Sequence, residues 1–230
     1  MSNSTVPFDA SIGRQSYCRL RIGWMVGPGY GPVDPNIQAT VPAVTMALKH
    51  IGLFVEQVRI TAIERDFILD VFNKLRVMEM KPASARATVG HEDLVFKMSK
   101  TMPAIADTSL QDYIEAEQAV ERIRDSYADY FSRYNAPITH VLPIAAHGHC
   151  VAEFTINGQT VDAAYLQRVT MPLSVANLPG VAMRFGTIKE GLLIKVQIVG
   201  NWQEKSIILH VAALLESVSA VPNLHPALSQ

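Results

Sequence analysis

Charged side chains are scarce in this chain of 230 residues. Asp, Glu, Lys and Arg make up 18% of it, against about 25% in ordinary globular domains. The 20 basic and 21 acidic residues give a net charge of −1, so the basic excess typical of nucleic-acid-binding domains is missing. Hydrophobic residues reach 49%, which excludes a disordered chain. We therefore expect a large buried core and no nucleic-acid partner.

Long apolar runs and cysteines are also missing. The longest stretch without a charged residue, 134–152, contains three histidines and two prolines, whereas a membrane-spanning helix needs about 20 mainly apolar residues. Residues 1–13 have neither the basic nor the apolar region of a secretory signal. Two cysteines, Cys18 and Cys150, are too few for a disulfide framework. These absences predict a cytoplasmic location and no membrane partner.

A nucleophile motif is absent from the sequence, and a cofactor-binding motif is incomplete. The sequence has no G-x-S-x-G nucleophile elbow. Gly27-Pro28-Gly29 follows an apolar run, as in dinucleotide-binding turns, but Pro32 stands at the third glycine position and Asp34 would repel a phosphate. We therefore expect no bound cofactor and interpret this turn as a connection.

The first half of the chain has a strand–helix–strand pattern. The apolar run 20–26 predicts a buried strand, and Asp34 with Pro35 is typical of a helix start. Gly52 marks the end of that helix, and 53–60 predicts a second strand. This order favours a parallel pair joined by a right-handed crossover.

Two further helices are predicted before the next strand. One begins at Phe67 and ends near Pro82, and the other is capped by Ser109 and reaches Tyr134. Between them, 82–103 is expected to form short helices.

The remaining pattern predicts a second group of strands. The elements are, in order, a buried strand over 138–145, a hairpin with a type I′ turn at Asn157-Gly158, a helical segment 165–178 interrupted at Pro172, a hairpin formed by 181–185 and 192–199, and a closing helix 202–218. The chain is thus predicted to be an α/β domain, with a mixed, largely parallel twisted sheet flanked by helices.

A short histidine-rich segment follows the strand predicted over 138–145. His147 and His149 alternate and Cys150 adds a thiolate, which suggests a zinc site, but a further ligand is missing from the segment. The alternative is a flexible loop at the carboxyl end of a strand, where α/β proteins tend to bind ligands. We predict no metal, and a metal-dependent enzyme stays a third hypothesis for function.

Three blocks of sequence together resemble the amidase signature family of hydrolases, in the part that follows the family's active-site signature. They are Leu20–Trp24 with Pro32–Pro35 and Ala47–Glu56; Ser109–Ile114 through Phe131–Tyr134 to Leu142-Pro143; and Ile156–Gly158, Ala176–Gly180, Gly191-Leu192, Val196–Gly200 and the closing helix to Glu216. The resemblance implies the C-terminal half of an amidase-signature domain over 19–217, with an N-terminal arm 1–18 and a tail 218–230.

In that family a serine attacks the amide carbonyl, a second serine in a cis peptide relays protons, and a lysine is the base. This sequence contains no Ser-Ser or Gly-Gly dipeptide, and none of its lysines matches the catalytic one. We therefore expect no catalytic residue here. The chain is expected to be the C-terminal portion of an amide hydrolase, inactive alone, that contributes sheet and one pocket wall.

The resemblance also implies which residues line the substrate pocket. These are Pro143, Ile144, His147 and His149, while Leu142 replaces the family's usual threonine. The expected partners are an N-terminal amidase half or a second copy, with a small amide as substrate only in the completed enzyme. The alternative function is a non-catalytic module that pairs with an amidase half or with itself.

Overall fold

A mixed sheet of five strands forms the centre of the described part of the chain. The computed structural model describes residues 19–26, 31–60, 68–91, 93–94, 105–149 and 151–219. The strands are β1 (Arg21–Trp24), β2 (Phe54–Gln57), β3 (Ala136–His140), β4 (Glu153–Ile156), β5 (Gln159–Asp162), β6 (Gly180–Thr187) and β7 (Leu193–Val199). The helices are α1 (Pro35–His50), α2 (Ile68–Thr88), α3 (Leu110–Phe131), α4 (Met171–Val175) and α5 (Lys205–Val218), with a 3₁₀ turn at Ala163–Gln167.

The sheet has the order β2-β1-β3-β7-β6, and β4 and β5 form a separate hairpin. β1 pairs in parallel with β2 and β3, whereas β7 is antiparallel to both β3 and β6. This confirms the predicted mixed sheet flanked by helices. The parallel pairing is confined to the β2-β1-β3 half.

The strand–helix–strand unit forms as its sequence predicts. The Asp34 carboxylate accepts a hydrogen bond from the Asn36 backbone N–H at 2.8 Å, and Pro35 opens α1. Gly52, with φ of 93°, provides the left-handed turn after the helix. β2 then returns beside β1 in a parallel pair.

Two predicted element ends were wrong. α2 does not end near Pro82 but continues to Thr88. Pro82 is exposed, so water can satisfy the carbonyl that loses its helix bond, and Lys81 next to it donates to the Ile105 carbonyl and pairs with Asp107 at 2.7 Å. β3 ends at His140 rather than Ala145 because the chain bends over 141–145.

The break predicted at Pro172 lies earlier in the chain, between Gln167 and Met171. The 3₁₀ turn ends at Gln167, and Pro172 lies in the first turn of α4, where its missing N–H costs no helix bond. The type I′ turn is confirmed, since Asn157 and Gly158 both have positive φ, 50° and 76°.

Two apolar clusters cover the two faces of the sheet. On one face α1 and α5 pack over β1, β3 and β7, around Ile22, Ile138 and Ile198. On the other face α3 contributes Tyr127 and Tyr130 to the second cluster. A fully buried side chain of this size stabilises the fold by roughly 1.5–3 kcal/mol, so these faces supply most of the apolar stabilisation.

Gly23 in β1 allows the closest packing against α3. A Cβ at this position would lie 2.5 Å from the Tyr130 hydroxyl oxygen and 2.7 Å from Val58. The Gly23 N–H donates to that same oxygen at 3.1 Å. A larger residue there would have to displace the Tyr130 and Val58 side chains.

Several predicted features lie outside the described residues. They are the arm 1–18 with Cys18, the turn Gly27-Pro28-Gly29, most of the segment 92–104, Cys150, and residues 220–230 of the tail. Within the described residues, no helix is long and apolar enough to span a bilayer.

Candidate functional site

The candidate site lies where β3 ends and the chain bends over 141–145. Here the Asp34 N–H, just before α1, donates to the Pro143 carbonyl at 2.8 Å. The Tyr165 hydroxyl donates to the Pro32 carbonyl at 2.6 Å, and the Asn157 side chain donates to the Val33 carbonyl at 2.8 Å. The three bonds hold the segment before α1, the bend after β3 and the β4–β5 hairpin together, so the carboxyl end of β3 is a fixed surface.

A small apolar cavity of about 180 Å³ opens at this end of the sheet. It is lined by Ile37 of α1, by Val141, Leu142, Ile144, Ala145 and Ala146 of the bend, and by Leu193, Ile194 and Lys195 of β7. Lys195 is the one charged residue among them, and it is exposed. The cavity therefore suits a small apolar group, with a cation at its rim.

The predicted pocket residues divide into two pairs. Ile144 lines the cavity and Pro143 is buried beside it, with its carbonyl bonded to the Asp34 N–H. His147 and His149 are exposed and do not line the cavity. His147 instead packs edge-on against the Phe154 ring, with 4.7 Å between ring centroids.

Sequence reasoning missed the cavity residues contributed by α1 and β7. Ile37, Ile194 and Lys195 come from elements far apart in the chain. Their only signal was the apolar helical spacing and strand alternation that mark core positions. Val141 was expected to continue β3, so its exposure to the cavity was not foreseen, whereas Leu142 was already placed beside the pocket proline.

His140, the last residue of β3, is the buried titratable group of this region. Its side chain is fully buried, and neither ring nitrogen has a hydrogen-bond partner within the described residues. Burial lowers the pKa of His140 from 6.5 to about 4. At neutral pH the imidazole is therefore uncharged and behaves as a core residue opposite Val196.

The neighbouring residue Thr139 belongs to a satisfied polar pair. The Gln197 side-chain amide donates to the Thr139 hydroxyl at 2.8 Å, and that hydroxyl donates to the His140 carbonyl at 3.1 Å. Both side chains are buried. The pair fixes the register of β3 against β7 at the entrance to the bend.

Several serines in the described helices serve their own helix. The hydroxyls of Ser126, Ser132 and Ser174 donate to backbone carbonyls three or four residues earlier, a local arrangement common in helices. Ser109 caps α3, where its hydroxyl accepts from the Asp112 N–H at 3.1 Å. The Ser109 hydroxyl also donates to the Asp112 carboxylate at 2.5 Å, and this contact belongs to the same helix cap.

The histidine-rich segment does not assemble metal ligands in the part that the structure describes. There, no three His, Cys, Asp or Glu side chains lie close enough to hold an ion. His147 Nδ1 lies 2.9 Å from the carbonyl oxygen of Gly148, and Cys150 lies outside the described residues. The cavity, with Lys195 at its rim and the bend over 141–145 along one side, can therefore bind a small ligand.

The fold is shared with solved amidase-signature enzymes. A bacterial aryl acylamidase of the amidase signature family superposes with a TM-score of 0.74 at 19% identity, over 88% of this chain and 44% of that one. A 6-aminohexanoate cyclic dimer hydrolase gives a TM-score of 0.77 at 18% identity, over 91% and 47% of the two chains. This chain thus spans about half the length of these solved relatives.

The sequence comparisons agree with the fold. A glutamyl-tRNA(Gln) amidotransferase subunit from Listeria innocua is 30% identical over 107 residues, which is 45% of this chain and 20% of that protein. The family model described as Amidase matches residues 2–208, most of the chain. The chain therefore belongs to the amidase family, as the three sequence blocks indicated.

Proposed function

We propose that this chain is the pocket-wall portion of an amidase-signature amide hydrolase, completed by another polypeptide segment that carries the nucleophile. The observation that carries the proposal is the cavity at the end of β3, built within a family domain of which this chain spans about half. Apart from Lys195 at the rim, its lining is apolar and carries no hydroxyl or thiol. In this role the cavity binds the acyl side of a small amide. The nucleophile that attacks the carbonyl belongs to the other polypeptide segment.

In the proposed role, the chain's own residues position the substrate. Ile144, Leu142 and Ile194 provide the apolar surface, and the bonds from Asp34 and Tyr165 hold that surface in place. His147 and His149 stand at the exposed end of the bend, where they would contact the more polar part of the substrate. Rigid placement of this kind contributes to rate because it orients the amide before attack.

The experiment is reconstitution of amide hydrolysis from two chains. The purified protein is mixed with the part of the bacterial aryl acylamidase that lies outside the match, and anilide hydrolysis is followed with and without a serine-directed inhibitor. We expect inhibitor-sensitive hydrolysis only in the mixture. The variant Ile144→Trp, which fills the cavity, should raise KM at least tenfold there, whereas the matched variant Ile114→Trp at an exposed position of α3 should not.

Two results would contradict the proposal. One is inhibitor-sensitive hydrolysis by the isolated chain. The other is a reconstituted activity whose KM does not respond to Ile144→Trp.

A second candidate, a non-catalytic interaction module, is favoured by one observation. The outer edge of β6 has no strand partner within the described residues. Such an edge suits pairing with another chain, and the proposed hydrolase also needs a surface of this kind.

A further inference from the structure

The cavity at the end of β3 forms where β3 and β7 separate. The last pair of their ladder joins His140 to Val196. The same register would next place Val141 opposite Lys195, but the chain bends away over 141–145. Val141 and Lys195 instead both line the cavity. The gap between the two strands is therefore the cavity, and Lys195 stands at its rim.

A second cation lies beside Lys195. Arg184 of β6 is directly opposite Lys195 of β7, and side chains at such positions share a face, with Cβ atoms about 5 Å apart. Arg184 is half-buried and Lys195 is exposed. Neither cation forms an ion pair with a described residue. The pair can therefore donate hydrogen bonds to an anionic group at the rim.

One acid lies near these two cations. A groove of about 750 Å³ beside β6 is lined by Arg184, Lys195 and Glu216 of α5. Glu216 is not within ion-pair distance of either cation, and the three side chains leave one positive charge in excess. Lys195 also lines the cavity, whereas Glu216 does not. A ligand in the cavity therefore meets a cation and not the acid.

The size of the cavity limits the apolar part of its ligand. The cavity measures about 180 Å³ and is walled by side chains such as Ile37, Leu142 and Ile144. An apolar cavity of about 150 Å³ accommodates benzene, so this one holds a chain of roughly six carbon atoms. Apolar walls with a cation at the rim match a short carbon chain that carries a negative charge.

We propose that the substrate is the monoamide of a short dicarboxylic acid, whose carboxylate binds Lys195 with the help of Arg184. The carbon chain lies against Ile144 and Ile194, and the amide faces the other polypeptide segment. This inference rests on the proposed function, which supplies the nucleophile. Lys195 thereby determines specificity, because an uncharged amide of the same length lacks the ion pair and an amide with a terminal ammonium group is repelled.

The test measures binding to the intact chain, without hydrolysis. Adipamate, hexanamide and ω-aminohexanamide have the same number of carbon atoms and differ in the charge at the far end. Their dissociation constants are obtained from chemical-shift titrations of the isotope-labelled protein. Adipamate is expected to bind about fivefold more tightly than hexanamide at low salt, as one exposed ion pair allows, and ω-aminohexanamide more weakly than either. Added salt should reduce the preference, because it screens exposed charges.

Variants assign the preference to particular side chains. Lys195→Met removes the charge but keeps an unbranched stem, and should bring the dissociation constants of adipamate and hexanamide together. Arg184→Gln should lower the preference by less. Lys189→Met, at the exposed turn between β6 and β7, is the matched control and should leave it unchanged. Ile144→Trp fills the cavity and should abolish saturable binding of all three amides, and the same spectra report whether each variant is folded.

Four outcomes would overturn the inference. They are no saturable binding of adipamate, equal affinities for adipamate and hexanamide, a preference that survives Lys195→Met, and an equal loss of preference in Lys189→Met. Inhibitor-sensitive hydrolysis by the isolated chain would overturn the proposed function but leave the binding result intact. Equal affinities together with an active two-chain mixture would overturn this inference alone, so the two failures are distinguishable.

Discussion

The carboxyl end of β3 and the outer edge of β6 differ in how firmly neighbouring segments are tied to them. At the end of β3, bonds to Pro143, Pro32 and Val33 close the loops around a small cavity. At β6, two cations share a face without an ion-pair partner among the described residues, and a large groove lies open beside them. The segments around the first region are tied to one another by hydrogen bonds, whereas the second region is an open groove beside an edge strand.

The largest expected effect is a loss of stability on adding a methyl group inside the sheet, which should far exceed the loss at its β6 edge. Gly23→Ala drives a methyl group against the Tyr130 hydroxyl and Val58, and should lower the free energy of unfolding by about 3 kcal/mol. Gly180→Ala in β6 is the control, because its nearest neighbour would be 3.8 Å away. Urea denaturation of both variants checks this, and equal losses would contradict the contrast between the two strands.

The next effect concerns the buried imidazole at the end of β3. Folding lowers the pKa of His140 to about 4, from about 6.5 in the unfolded chain. The folded state is therefore fully stable above about pH 6.5 and loses stability as pH falls toward 4, by about 2 kcal/mol at pH 5. His140→Leu should remove this part of the pH dependence.

The control for that experiment is His50→Leu, since His50 is exposed in the last turn of α1. Denaturant titrations of the protein and both variants at pH 7 and pH 5 provide the measurement. A pH dependence that survives in His140→Leu would mean that another group carries it.

A smaller effect tests how the loops around the cavity are held. Tyr165→Phe removes the hydrogen bond to the Pro32 carbonyl and should cost about 1 kcal/mol of stability. Tyr113→Phe on α3 loses a hydroxyl that interacts with Glu117 at the surface, and should cost less than about 0.5 kcal/mol. Thermal and urea unfolding would show whether the two hydroxyls differ in this order.

The smallest effect is expected at β6. Arg184→Gln relieves repulsion with Lys195 and should raise stability by up to about 0.5 kcal/mol at low salt. The gain should shrink in 1 M salt, because added ions screen exposed charges. Lys189→Gln is the control, and a loss of stability in Arg184→Gln would indicate that its charge is already compensated.

Local signals in the sequence predicted the elements whose ends they mark. Asp34 with Pro35, Ser109 and Asn157-Gly158 act within a few residues, and each produced the expected helix start or turn. Pro82 misled because an exposed proline can remain inside a helix whose neighbouring side chain is anchored elsewhere. The effect of a proline thus depends on tertiary contacts.

The candidate site was less predictable than the fold. The family resemblance predicts a pocket at the segment after β3, and Ile144 lines a cavity there. Ile37, Ile194 and Lys195 reach it from α1 and β7, and no local pattern links these positions. The open groove along β6 follows from the strand order β2-β1-β3-β7-β6, which alternation within single strands does not specify.

The central claim, that this chain supplies a pocket wall and another segment supplies the nucleophile, is tested most directly by active-site labelling. The isolated protein is incubated with a fluorophosphonate, which reacts with activated serines, and the intact mass is measured against a heat-unfolded control. We expect no labelling above that control. Stoichiometric labelling of one serine in the native chain, with loss on unfolding, would contradict it.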